Sequence, residues 1–299
     1  MDKLSELKAF VSVVDLGSFS AASDQLGVTK SSVSKKVSSL EARLSVKLLN
    51  RTTRRLSVTE LGRTYYQKAT KLIQDWDEAD ALISQGNENV HGVLKVTAPV
   101  TFGARHLNCL LKQYMDDNKG IKLRLDLSDK HVNIVEEGFD IAIRIGVLPD
   151  SNLVAKRLAP IRRKLYASKG YIEKYGSPAN PEELITHSML NHVSAGKHLS
   201  FVDKLGDVHT IQPSVKLTVN NGDVLLCAVK ESMGVSLLPT YLTQGACQKG
   251  ELIPIMMDFS VPDLTLYAVY PQTRYLPSRT RKLIDLLESN YSGEPYWDT

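Results

Sequence analysis

The sequence predicts an α+β, multidomain chain, and three observations predict it. Two short helical stripes flank a glycine turn near the N-terminus, a long heptad seam follows, and from Val93 onward strand and helix periods alternate. With 299 residues, 42% hydrophobic and 23% charged, the chain is long enough for two or three domains with real cores.

An opening helix carries Leu4, Leu7, Phe10, Val11, Val13 and Val14 and stops at Gly17, after which Ser18 caps the next helix. Phe19, Ala22 and Leu26 form the stripe of that second helix, and Val33, Val37, Leu40 and Leu44 form the stripe of a third. Between them Gly27 suits a left-handed turn, Val28 plugs the angle and Thr29 caps the third helix through its hydroxyl. This pattern is a helix-turn-helix. The face opposite the third stripe carries Lys30, Ser31, Ser34 and Lys35, with no acid before Glu41. Short hydroxyls permit close approach to a major groove and cations meet phosphates or guanine edges; the competing reading is a solvated helix face.

Charge distribution favours the DNA reading. Residues 29–71 hold eleven cations against only Glu41 and Glu60, a net +9, while the remainder of the chain is net −5. Such local basicity marks a nucleic-acid face. The stretch Lys47–Val58 reads as a short hairpin, or wing, with Arg51, Arg54 and Arg55 at its tip, placed to straddle phosphates or enter a minor groove. Thr59 and Glu60 then open a long helix running to about Gln85. On it Tyr65, Ala69, Leu72, Trp76, Ala79 and Ile83 recur at spacings of 4, 3, 4, 3 and 4, a seam for pairing with a second chain or for packing on its own domain. A polar stretch around Gly86 to Gly92 reads as a hinge.

Beyond it, Val93–Thr97 is a strand and Gly103–Asn118 a helix. Ile121 to Leu127 alternate as a half-buried strand, a short helix starts at His131, and Asp140–Ile145 is a third strand. This order implies parallel strands with helical crossovers. Lys164–Ala167, a helix opened by Asn180 and Pro181, Val215–Val219, a helix over Gly222–Met233 and Val235–Leu238 continue it. Leu264–Tyr270 and Ser278–Asn290 close the chain as strand and helix.

Other classes find little support. No apolar run approaches membrane-spanning length and the N-terminus is amphipathic, so a cytoplasmic protein without membrane association is expected. Cys109, Cys227 and Cys247 lack CxxC pairing and are expected as buried thiols; the seven histidines show no metal-ligand spacing. There is no GxSxG, HExxH, Walker loop or GxGxxG, so no catalytic residues, cofactor or metal are expected.

The stretch from LKAFVSVVDLGSFSAASDQLG through TKSSVSKKVSSLEARL to LLNRTTRRLSVTELG closely resembles the winged helix-turn-helix of LysR-type transcriptional regulators. GVLKVTAP, VEEGFDIAIRIGVLPDS, the P-x-R-R segment Pro160–Arg163 and LYAVYP resemble that family's regulatory domain, so the likeness spans essentially the whole chain. It implies a winged helix over 1–58, a linker dimerisation helix over 59–88 and an effector-binding domain over 89–299. The last would be two α/β subdomains, about 92–162 with 267–299 and about 163–266, similar to periplasmic binding proteins. It further implies double-stranded DNA, a small-molecule effector, a homodimer or homotetramer and, for an activator, RNA polymerase as partners. Thr29, Lys30, Ser31, Ser34 and Lys35 match the recognition helix; Lys36, Ser18 and Ser20 are expected backbone contacts. Effector candidates by resemblance are Pro99, Val100, Thr101, Ser128, Ser194 and Asn221, at strand ends where free N–H groups gather. Arg144 either counters an anionic ligand or pairs with Asp140 or Asp129.

Overall fold

Side-chain caps set the boundaries of the first helices. In the computed structural model, which describes residues 2–51, 56–83, 90–130, 132–148, 151–273 and 276–298, α1 (Lys3–Leu16) begins where the Asp2 carboxylate accepts from the Leu4 N–H at 3.1 Å. It ends at Gly17, whose φ of 61° is open to glycine at little cost. α2 (Phe19–Leu26) is capped by Ser18 and closed by Gly27 at φ 64°; α3 (Lys30–Leu44) is capped by Thr29, whose Oγ1 accepts from the Ser32 N–H at 3.3 Å. The three helices enclose Ala9, Phe10, Val13, Ala22, Val33, Val37 and Leu40, with Val28 packed at the edge.

A two-stranded hairpin follows, β1 (Leu49–Arg51) antiparallel to β2 (Leu56–Val58) in the register Leu49 to Val58. Thr59 fastens it to α4 (Glu60–Ile83). Its Oγ1 donates to Lys47 O at 2.8 Å and accepts from the Gly62 N–H at 2.9 Å, and its own N–H donates to Leu48 O. Only glycine fits at position 62, since a Cβ there would stand 2.1 Å from Leu48 O. Thr59→Ala removes the helix cap and the hairpin tie together. It is expected to cost about 1–2 kcal/mol, measured by urea unfolding followed on the N-terminal helices.

The heptad seam divides. Tyr65 lies half-buried with its ring 5.9 Å from that of Phe10, and Ala69 is fully buried, because α1 packs on the first turns of α4. These two positions therefore serve the winged-helix core rather than a seam for a second chain. Leu72 and Trp76 are 56% and 54% exposed; the side chains of Ala79 and Ile83 lie outside the described residues.

Residues 1–88 form the body of one compact unit and most of 89–299 the other. The second unit opens with β3 (His91–Ala98). A helix then runs from α5 (Val100–Phe102) through one π-helical turn, Gly103–Leu107, into α6 (Asn108–Asp117). β4 (Gly120–Leu127), β5 (Ile141–Gly146) and β6 (Leu153–Ile161) follow. β3 pairs parallel with both β4 and β5, and the crossover from β3 to β4 is the helical one. The expected helix from His131 is instead a set of turns over 134–138, closed by Gly138 at φ 70°; His131 itself lies outside the described residues.

After Ile161 the chain crosses into a second subdomain. It comprises β7 (Arg163–Ser168), α7 (Lys169–Tyr175), β8 (Met189–His192), β9 (Leu199–Val202), β10 (Val208–Ile211), β11 (Val215–Val219), α8 (Gly222–Lys230), β12 (Ser236–Pro239), α9 (Thr240–Gln248) and β13 (Leu252–Ile255). β7 lies between β12 and β13, β8 runs parallel to β11, and β9 and β10 form a hairpin. The helix expected after Asn180 is one 3-10 turn, Glu182–Thr186, and α8 stops at Lys230, short of Met233, as Ser232 turns left-handed at φ 59°. The chain crosses back as β14 (Leu264–Pro271), inserted antiparallel between β5 and β6, and ends with α10 (Ser278–Tyr291). No described helix is long and apolar enough to cross a membrane.

Candidate DNA-binding face and effector cleft

α3 separates two chemistries around its axis. Val33, Val37 and Leu40 are fully buried, while Lys30, Ser31 and Lys35 are exposed and Ser34 and Lys36 half-buried on the other side. Among the described residues none of Lys30, Lys35 and Lys36 makes an ion pair. Thr29 Oγ1 lies 3.0 Å from Ser31 Oγ, so the start of the helix presents a hydroxyl pair beside its first lysine. Ser20 is exposed at the start of α2. Ser18 is half-buried, its Oγ accepting from the Ser20 and Ala21 N–H groups at 3.2 and 3.4 Å. Arg54, Arg55 and the side chain of Arg51 lie outside the described residues.

The one acid that α3 carries does not face outward. Glu41 accepts from the Leu48 and Leu49 N–H groups at 2.9 and 3.1 Å and from Lys47 Nζ at 3.1 Å, with its side chain 2% exposed. Burial alone would raise its pKa. The bonds from Leu49, Lys47 and Leu48 outweigh burial and hold the carboxyl below the usual range. Glu6 is likewise turned inward, accepting from Ser39 Oγ at 2.6 Å and Arg43 Nε at 3.2 Å, so α1 grips the outer half of α3.

The second unit holds a cleft of about 730 Å³ between its two subdomains. Of the expected effector residues, Pro99, Thr101, Ser128 and Arg144 line it from the first subdomain and Ser194 from the second. Val100 and Asn221 do not. The Asn221 Oδ1 is committed to capping α8, accepting from the Asp223 and Val224 N–H groups at 3.0 and 3.1 Å, and Gly222 meets the cleft in its place. The Val100 N–H donates to Asp129 at 3.1 Å, which gives that carboxylate a helix-start partner.

Neither acid expected beside Arg144 pairs with it. Asp140 is held by Arg279 at 3.3 Å and by the Lys95 N–H at 2.8 Å, and Asp129 by Val100; Arg144 Nη1 donates to Ile143 O at 3.0 Å. Thr101 is 4% exposed, its hydroxyl packed toward Gly222, where a Cβ would come within 3.1 Å of it. Beside the cleft the subdomains are bridged by Arg105, which donates to Asp223 at 2.6 and 3.0 Å, and by the His106 ring, 3.3 Å from Tyr241 O. Burial lowers the His106 pKa against the raising effect of that carbonyl, with Arg105 adding to the fall; burial also keeps the Tyr241 phenol protonated.

Sequence reasoning missed Arg163 and Tyr241, both of which line the cleft. They come from a crossing strand and from the second subdomain, where no local motif marks them. For Arg163 a signal exists in the P-x-R-R segment Pro160–Arg163, which resembles the family's regulatory domain but by itself assigns the arginine no role.

A basic, core-anchored helix-turn-helix joined in one chain to a two-lobed α/β cleft defines a DNA-binding regulator with a small-molecule site. Comparison with known proteins gives the family. The lysR family model of the bacterial regulatory helix-turn-helix protein matches residues 4–63, and the LysR substrate binding domain matches residues 87–292. An uncharacterized HTH-type transcriptional regulator of Haemophilus influenzae is 33% identical over 278 residues, 93% of this chain and 96% of its own. The HTH-type transcriptional regulator CrgA of Neisseria meningitidis serogroup C is 34% identical over 286 residues, covering 94% and 95%. A solved structure of CrgA from Neisseria meningitidis covers 96% of this chain and 98% of its own at 33% identity, with a TM-score of 0.62. The chain belongs to the LysR-type transcriptional regulators, a family of sequence-specific DNA-binding proteins with effector-binding domains.

Proposed function

We propose that α3 enters the major groove of an operator, with Thr29, Lys30, Ser31, Ser34 and Lys35 at base edges and nearby phosphates and Lys36, Ser18 and Ser20 on the backbone. Arg51, Arg54 and Arg55 of the wing reach the flanking phosphates or minor groove. The observation that carries this reading is the exposed face of Lys30, Ser31 and Lys35 on a helix whose opposite side is fixed in a core and whose acid, Glu41, is withdrawn. Exposed Leu72 and Trp76 extend a seam along α4 for a second copy, giving a homodimer or homotetramer in the cytoplasm that presents paired heads to a partly palindromic site. A small molecule in the cleft, bounded by Thr101, Ser128, Arg144 and Ser194, shifts the population between subdomain arrangements and so between operator states. Where the output is activation, RNA polymerase is the further partner.

The test is footprinting of the purified protein on the intergenic DNA beside its own gene, at near-physiological salt with non-specific competitor. A long, two-part protected region with dyad symmetry is the expected result. Protection no better than the competitor background, unrestored by added metabolites, would overturn the reading.

A further inference from the structure

The segment Pro160-Ile161-Arg162-Arg163 lies where the chain crosses from the first subdomain to the second, and its two arginines turn opposite ways. Arg162 faces the C-terminal segment, donating from Nη1 to Glu294 at 2.7 Å and Asp298 at 2.6 Å and from Nη2 to Glu294 at 3.0 Å. Arg163 lines the cleft. Its Nη2 donates to Pro262 O at 2.8 Å, its Nε is buried without a hydrogen-bond partner, and among the described residues no carboxylate forms an ion pair with it. Exposed Asp263 attracts it through space only. Arg163 is half-buried, and a guanidinium whose Nε is cut off from water without a partner gains when an anion joins it.

We propose that Arg163 is the anion anchor of the cleft, and that the effector is a small monocarboxylic acid whose carboxylate docks on this guanidinium while its apolar body lies against Leu225, Leu238 and Leu264. The proposal rests on the reading of the cleft as the effector site. Lys130 and Arg144 add positive charge to the lining, and Asp129 opposes a second negative charge on the ligand, which selects a monoanion over a dianion. A carboxylate has the planar, two-oxygen geometry that a guanidinium fork meets. Position gives the contact its consequence. Pro262 lies just before β14 on the return crossing, so the Arg163–Pro262 bond ties the two crossing strands together. A ligand that draws the guanidinium toward itself alters that tie, and with it the angle between the subdomains.

Isothermal titration of the full chain with benzoate and 4-methylpentanoate, their uncharged amides and phenyl phosphate, all at matched ionic strength, tests the proposal. The acids are expected to bind about ten-fold or more tightly than the amides. Arg163→Gln should bring acid down to amide, and Arg163→Lys, which keeps the charge, should retain part of the preference. Equal binding of acid and amide by the wild type, absence of acid binding, tighter binding of phenyl phosphate, or an acid preference that survives in Arg163→Gln each overturns it. Ser128→Trp, which fills the cleft, separates this failure from that of the site. If the amides bind as well as the acids and the tryptophan abolishes both, the cleft stands and the anchor falls. Acid binding undiminished by the tryptophan overturns both.

Discussion

Glu41→Ala is expected to destabilise the N-terminal unit by about 3–5 kcal/mol and to abolish operator binding with it. The carboxylate is the shared acceptor for two consecutive backbone N–H groups, those of Leu48 and Leu49, residues that are only 1% and 2% exposed. Alanine leaves both donors buried without a partner, at about 1–3 kcal/mol each. Lys47, whose side chain is 77% exposed, contributes little to the total because water already solvates it. The effect is local in origin and wide in reach. Leu48 O receives the N–H and hydroxyl of Thr59, so the bend that Glu41 stabilises also holds the start of α4. Urea unfolding of wild type and Glu41→Ala, followed by circular dichroism, measures the loss; a change under 1 kcal/mol would refute the account.

The same residue predicts a direction with pH. Its carboxyl pKa is lowered in the folded chain, so its contribution is fully present above the unfolded carboxylate value of about 4.3 and is lost as pH falls through the lower folded value. Between pH 7 and pH 3 the wild type should lose more stability than Glu41→Gln, which has no proton to take up there. Equal losses would show that other carboxylates dominate acid unfolding.

How legible this chain was in its sequence depends on how local each determinant is. Ser18, Gly27 and Thr29 were readable as caps and turn because a cap is decided within three residues, and the structure uses them in those roles. Strand β6 was not readable. Its Lys156, Arg157 and Pro160 break the pattern of a buried strand, yet β6 sits at the edge of the sheet, where a proline and long cations are tolerated. Tyr65 and Ala69 fit a heptad because the same spacing serves any apolar stripe, and only the approach of α1 decided which partner they met. Glu41 could be counted but not placed, since its partners, 7 and 8 residues on, lie across the bend after α3. The cleft was half-legible for the same reason. Thr101 and Ser128, near the ends of strands, are reached through the resemblance to the family, whereas Arg163 and Tyr241 arrive from separate elements that only the crossing of the chain brings together.

Replacing Lys30 and Lys35 together with alanine should weaken operator binding by about 30- to 300-fold near physiological salt while leaving the fold intact. Lys30 is the first residue of α3, where the helix dipole disfavours a cation, and no acid stands in that turn to offset it. A solvated face selected for stability would carry Asp or Glu there. The lysine therefore weakens the helix slightly, and alanine should stabilise the free protein by a few tenths of a kcal/mol up to about 1 kcal/mol. Affinity and stability are thus expected to move in opposite directions, which a misfolded variant cannot imitate. Salt dependence then sorts the two lysines. Each one that neutralises a phosphate should lower the slope of log affinity against log salt by about 0.9, and its loss should weaken all sequences alike. A lysine at a base edge should instead relax the preference at one operator position with less change in slope. Titration of both single variants and the double variant against operator and scrambled DNA at several salt concentrations gives the answer, and unchanged operator binding in the double variant would remove α3 from the DNA interface.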